Sequence, residues 1–523
     1  MTSTRPASPP GGVDVADAGP PAEDAPPAGP GPTPLLTPHD GVPPVVETAE
    51  ALAEVVARFA AGTGPVAVDA ERASGYRYSQ RAYLVQLRRA GAGTALIDPI
   101  ACPDLSALSE ALRDVEWVLH AASQDLACLA EVGMVPSSVF DTELGGRLAG
   151  LERVGLGAMV ENVLGLRLEK GHSAADWSTR PLPESWLVYA ALDVEVLVEL
   201  RDEIEAVLEA QGKLAWAHEE FEAVRLAPAP PPRVDPWRRT SGMHRLRTRR
   251  QLAAVRAMWE VRDAMARRRD TAPGRILPDS AIVGAVAASP ASAADLLELP
   301  VFGGRSTRRH VDTWFAALQS AAGLPDAALP QPVPAGDGPP AANRWAERDP
   351  VAAKRLARVR AVVTGLAEQH GMPPENLVQP DAVRRLAWAP PALGDGDGDG
   401  DGAAQAVARA LAAHGARPWQ VRLVAPAVAA VLPDPAPPAP TPSTADAAPD
   451  AAPPTDGTPG TTTTTTTTAP PTTAPQTVTP VAAALAAPPP APRVRRVRRA
   501  TSPAGAPALR GPAPEVPAPD AAP

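Results

Sequence analysis

Proline fixes φ and donates no backbone hydrogen bond, so a proline-dense stretch builds neither a helix interior nor a central strand. The 67 prolines of this 523-residue chain are densest at its two ends, where aromatic and β-branched residues are scarce. Residues 1–43 and 435–523 are therefore expected to be disordered. Folding falls to the roughly 390 residues between them, enough for about three domains. A second proline run, APAPPP at 227–232, predicts a linker inside that span, taken here as residues 227–242.

The formal net charge is −10, which by itself argues against a polyanionic partner. Its distribution reverses that reading: residues 45–222 carry 29 acidic and 14 basic side chains, residues 233–320 carry 8 and 16. A basic module can hold a polyanion beside an acidic one whose carboxylates are neutralised by metal cations. Cys102 and Cys128 form neither a C-x-x-C pair nor a disulfide framework. The opening MTSTRPASPP lacks the apolar segment of a secretory signal, and the run 423–432 is too short to span a bilayer, so a cytoplasmic protein without a membrane partner is expected.

Between 44 and 226 strand-like and helix-like runs alternate as in an α/β domain. Residues 64–69, 83–87, 94–98, 116–120 and 138–141 read as strands, with a glycine turn at 91–93. Residues 105–113, 123–132 and 184–210 read as helices, the last a single long amphipathic one. Residues 243–323 are helical and basic. A third segment, 340–434, repeats that plan, Pro380-Asp381 echoing Pro278-Asp279. The GDGDGDGDG run at 394–402 lacks the bidentate Glu of a calcium loop and reads as solvated. Thr461–Thr468 reads as a spacer and the Arg-rich run 493–499 as a loose phosphate attractor or an inert solvated run.

Two carboxylates at i and i+2 of a strand share one face, and Asp69-Ala70-Glu71 has that form. Alone it is more simply a strand end emerging into water. Asp125 follows the strand at 116–120, early in a helix, where an acid also serves the helix dipole. Tyr189 and Asp193, spaced i, i+4, share one helix face, which a plain core hydrogen bond would also explain.

Taken in order, D-x-E, then D, then Y-x-x-x-D, the chain resembles the DEDD superfamily of 3′–5′ exonucleases, tyrosine subtype, and within it the ribonuclease D family. VAVDAE (66–71), LHAASQDL (119–126) and DWSTRPLPESWLVYAALDV (176–194) carry the resemblance, with FDT (140–142) and LIDP (96–99) in keeping. RDTAPGRILPDSAI (269–282) and LPVFGGRS (299–306) are similar to a helicase-and-ribonuclease-D C-terminal (HRDC) domain. The first motif departs from the family's D-T-E-apolar pattern, with Ala70 and Arg72 in its place.

The resemblance implies a ribonuclease H-like α/β exonuclease domain, a mixed sheet flanked by helices, followed by two small all-α HRDC-type domains. It implies that Asp69, Glu71, Asp125 and Asp193 hold two divalent cations, Mg²⁺ or Mn²⁺, and that Tyr189 orients the attacking water. His120, Gln124, Lys170, His172, Trp177 and Arg180 are candidate substrate contacts, as are Arg305, Arg308 and Arg309 in the HRDC segment. RNA, tRNA precursors or other structured RNA, is the implied substrate, with DNA the alternative and a silent nucleic-acid-binding scaffold the competing class. No P-loop or Rossmann glycine pattern is present, so no nucleotide cofactor is expected.

Overall fold

A computed structural model describes residues 31–434 apart from 170, 230, 303, 333–337 and 393–400. The calcium-like run, the threonine tract and the Arg-rich run therefore lie wholly or largely outside the described residues. Eight strands occur among them: β1 Thr33–Leu35, β2 Val45–Val46, β3 Thr63–Arg72, β4 Ala82–Ala90, β5 Gly93–Ile97, β6 Glu116–Leu119, β7 Ser138–Asp141 and β8 Leu166–Leu168.

Six of them form one sheet in the order β2-β5-β4-β3-β6-β7. The central β3-β4-β5 meander is antiparallel, whereas β2, β6 and β7 join in parallel. The expected mixed sheet is thus present. Gly91 and Gly93 both take positive φ, at 79° and 73°, which closes the β4–β5 hairpin where the glycine turn was predicted.

Alternation along β3 sorts its side chains. Val66, Val68 and Ala70 join Trp117, Leu119 and Val139 in a core roofed by Val55 and Phe59 of the helix Ala49–Ala61. Ala67 faces the other way, with Val118 and Phe140, onto Leu200, Ile204 and Leu208 of the helix Leu197–Ala210. Asp69 and Glu71 continue that second face to the carboxyl end of the strand. The long helix expected at 184–210 is two, Glu184–Glu195 and Leu197–Ala210, broken at Val196. The break lets the first piece lie over the hairpin strands while the second covers β3 and β6.

Two expectations about the ends of segments are corrected. Disorder was expected through residue 43, but Thr33–Leu35 pairs in parallel with Leu166–Leu168, which satisfies backbone groups that composition alone leaves open. The linker was expected to run to 242, but Trp237 is 3 % exposed and belongs to the core of the following helical region.

That region packs Leu252, Val255, Met258, Ile282, Phe302 and Trp314 into a core of its own. Its helices Arg249–Arg269, Pro273–Ile276 and Asp279–Ala288 recur in order as Pro350–Gln369, Pro374–Leu377 and Pro380–Trp388. Among the described residues the second set, with the helix Pro418–Val431, forms no separate core: Val359, Leu377, Trp419 and Val428 are continuous with Phe140, Ile204 and Phe221 of the α/β domain.

Candidate active site

The geometry starts from three carboxylates. Oxygens of Asp69, Glu71 and Asp193 all lie within 4.8 Å of one another. Two come from the end of β3, the third from the helix Glu184–Glu195 laid across it. Asp69 is oriented by Gln86 on the neighbouring strand, whose Nε2 donates to Oδ2 at 2.8 Å.

Asp125 arrives by a different route. Parallel β6 ends beside β3, Ala121 turns the chain in the left-handed region at φ 61°, and a short 3₁₀ turn delivers Asp125. The turn is fixed by Asp141, at the end of β7. Its two oxygens accept from the backbone N–H groups of Ala121 and Ala122 at 3.0 and 2.9 Å, while Oδ1 also caps the helix Thr142–Leu148 through Glu143 and Leu144. Asp125 lies outside the tight trio, and its Oδ1 pairs with Arg72 at 3.3 Å. The departure at position 72 therefore has a structural role: Arg72 supplies a positive charge to the second motif.

Crowded, desolvated carboxylates cannot all ionise. Burial, then the charges of Asp69, Asp193 and Asp125, push Glu71 up to about 10. Burial and the Asp69 charge likewise push Asp125 and Asp193 up to about 8, and burial raises Asp69. This excess of negative charge on hard oxygen donors is what a divalent cation neutralises, so the residues fit the implied metal. Tyr189 hydrogen-bonds Asp193; burial and the adjacent carboxylates hold its phenol well above the ordinary value, so it remains a protonated donor.

The candidate substrate contacts divide. Trp177 is corrected: it is fully buried, donating Nε1 to the carbonyl of His172 at 3.2 Å and packing on Trp186 at 5.3 Å, so it offers no face to a base. Arg180 is corrected too. Its Nε and Nη2 grip Asp98 at 2.7 and 2.8 Å, and the remaining N–H groups reach the carbonyls of Trp177, Thr179 and Tyr83. All five guanidinium donors are occupied inside the protein. Although burial acts to raise Asp98, bonds from Arg180 and Ile100 outweigh it and hold the carboxyl below its usual range.

His120 is pinned to Thr142 at 2.9 Å, and burial lowers it to about 4, so the ring is neutral. Gln124 is exposed beside Asp125, and His172 meets the ring of Tyr189 edge-on at 5.9 Å. Lys170 and the side chain of Arg305 lie outside the described residues. Arg308 and Arg309 are exposed on the HRDC-like region, next to His310, which bonds Arg269 at 2.9 Å. Sequence reasoning did not assign roles to Gln86 and Asp141, although FDT had marked the second.

Three family profiles match: a 3′–5′ exonuclease over residues 43–209, an HRDC domain over 251–318 and a 3′ to 5′ exonuclease C-terminal domain over 338–432. Fold, acidic centre and matches together define a 3′–5′ exonuclease with an HRDC region. Ribonuclease D of Granulibacter bethesdensis is 33 % identical over 331 residues, 62 % of this chain and 80 % of that protein. Ribonuclease D of Escherichia coli is 33 % identical over 300 residues, 55 % of this chain and 77 % of that one. The chain belongs to the ribonuclease D family. A crystal structure of a protein from Bifidobacterium adolescentis superposes with TM-score 0.70 at 38 % identity, covering 77 % of this chain and 99 % of that one. The crystal structure of E. coli RNase D, an exoribonuclease involved in structured RNA processing, gives 0.52 at 29 % identity, covering 71 % of this chain and 99 % of that one.

Proposed function

We propose that this exonuclease trims the 3′ ends of structured RNA, tRNA precursors among them, releasing nucleoside 5′-monophosphates. The observation that carries the reading is the convergence of Asp69, Glu71 and Asp193 oxygens within 4.8 Å, beside Tyr189 and Asp125. Asp69, Glu71, Asp125 and Asp193 would hold two divalent cations, Mg²⁺ or Mn²⁺. When bound, such ions polarise the attacking water and offset charge on the leaving oxygen.

The protein's own groups do the positioning. Tyr189, protonated, directs a lone pair of water at the terminal phosphorus; the new bond forms as the P–O3′ bond breaks. The attacking water gives up one proton to solvent and the departing O3′ takes one up from solvent, so the shortened RNA ends in a 3′-hydroxyl. Asp141 and Gln86 hold the carboxylates against their mutual repulsion. The exposed arginines of the HRDC region, Arg308 and Arg309 with Arg269, supply phosphate attraction that salt would weaken. The domain plan that accompanies this reading is an exonuclease at 44–226, an HRDC domain at 243–323 and a degenerate repeat of it at 340–434.

End-labelled RNA and matched DNA, incubated with Mg²⁺, Mn²⁺ or EDTA, test the proposal beside Asp69→Asn and Asp193→Asn. Metal-dependent mononucleotide release from the 3′ end of RNA is expected, falling about 10³-fold or more in either variant. Release from DNA alone would reassign the substrate, and turnover unchanged in the variants would remove the site.

A further inference from the structure

The chain leaves β3 directly after Glu71 and Arg72, and residues 73–81 form the loop that returns it to β4. Ser74 and Gly75 of that loop line a cavity of about 300 Å³ together with Glu71, Arg72 and Ala174. Further along the loop, Arg77 donates Nε to Ser178 Oγ at 2.7 Å, which ties it to the segment preceding Tyr189. The loop is thus one wall of a cavity that reaches Glu71 of the carboxylate trio.

Its outer side is held by the HRDC region. Asp270 closes the helix Arg249–Arg269 in the left-handed conformation, φ 43°. From there Oδ1 accepts the backbone N–H groups of Tyr78 and Ser79 at 3.1 and 2.8 Å, and Oδ2 accepts the hydroxyl of Tyr83 at 3.3 Å. Around this carboxylate, Tyr78 donates to Asp263 at 3.1 Å, the N–H of Ala272 reaches the carbonyl of Tyr76 at 2.9 Å and Arg275 reaches that of Gly75 at 2.9 Å. Arg275 also lies over the Tyr76 ring, 3.9 Å from its centroid. Nearly every residue from 75 to 79 is gripped by the auxiliary region.

We infer that Asp270 is a positioning residue for the exonuclease: through this loop the HRDC region completes the wall of the cavity beside Glu71, independently of any grip on RNA. The inference rests on the exonuclease reading above. A charged acceptor taking two backbone N–H groups fixes a loop that has no secondary structure of its own, and small displacements of a catalytic wall are costly to rate.

The variant to make is Asp270→Gly, because glycine removes the carboxylate while accepting the positive φ; Asp270→Asn keeps an acceptor and also tolerates that backbone. Two readouts are taken on the full chain. One is the single-turnover rate on saturating RNA a few nucleotides long. The other is trypsin cleavage after Arg77 and Arg81, mapped by mass spectrometry without substrate. Asp270→Gly is expected to lower the rate about tenfold and to speed loop cleavage by a similar factor, with Asp270→Asn close to wild type in both. A wild-type rate in Asp270→Gly overturns the inference whatever the proteolysis shows, and a lowered rate with unchanged loop cleavage overturns the clamp as its cause. An inactive wild-type protein would instead sink the exonuclease reading, and Asp270's catalytic role with it, whereas the proteolysis arm would still report whether the clamp exists.

Discussion

The two helical regions share a three-helix opening but are attached to the α/β domain by different physics. The HRDC region keeps its own apolar core and meets the exonuclease largely through hydrogen bonds to the 73–81 loop and Tyr83. Among the described residues the C-terminal region has no core to itself. Trp419 stacks on Trp216 at 4.9 Å, donates Nε1 to Glu220 at 2.9 Å and is continuous with the packing under the sheet. Apolar burial is cooperative and non-directional, whereas hydrogen bonds are directional and worth about 1 kcal/mol each net. Hydrogen bonding thus joins the HRDC region beside the chemistry, and apolar burial makes the C-terminal region a foundation away from it.

The largest test of that contrast removes one tryptophan from each region. Trp419→Ala and Trp314→Ala should each cost about 3–5 kcal/mol. Hydrogen exchange should show the first loss spread into β3, β6 and β7 and the second confined to residues 237–329; identical spread in both variants would break the comparison.

A smaller effect is expected at Gly150. It takes φ +84°, and a Cβ there would stand 2.1 Å from the carbonyl oxygen of Gly371, where the C-terminal region meets the α/β domain. Gly150→Ala should cost about 2 kcal/mol from backbone strain and the forced separation, read by chemical denaturation. An unchanged midpoint would mean the two regions are not held so closely.

A further test concerns pH. Asp125 and Asp193 are raised to about 8 and Glu71 to about 10 in the folded protein. Their folded values exceed the unfolded ones, so the folded state binds more protons, and stability in EDTA should decline as pH rises from about 4 through 8 for the aspartates and on to about 10 for Glu71. Each kcal/mol lost lowers the melting temperature by about 2–4 °C, and Mg²⁺ should restore more at pH 8 than at pH 5. Exchange in the HRDC core, once corrected for the intrinsic pH dependence of amide exchange, should not share this trend, which would sharpen the distinction between separate and continuous cores.

What the sequence showed, and what it did not, follows the same division between pattern and partner. Alternation along VAVDAE is enough to place Asp69 and Glu71 on one face, and the i, i+4 spacing enough to align Tyr189 with Asp193. The order of the motifs is what brought Asp125 in. But an apolar stripe does not say what it will face, so the fusion of Trp419 with the α/β core was invisible. Arginines look alike in a sequence, whether they meet a phosphate or a carboxylate. Arg72 and Arg180 both meet carboxylates, and only their neighbours in space reveal it. Asp270 was similarly hidden, since its acceptors' partners lie about 190 residues away in the chain.

The clamp between Arg180 and Asp98 has a bearing on how mutational screens of this enzyme would be interpreted. A basic residue in the most specific motif of a nuclease invites the label of RNA-binding residue, and Arg180→Ala would lower turnover as that label demands. Yet a side chain with every donor engaged internally displaces no counterions from the polymer. The slope of log K against log[salt] should stay where it was, so ionic-strength dependence separates residues that touch the substrate from those that only hold the floor on which it stands.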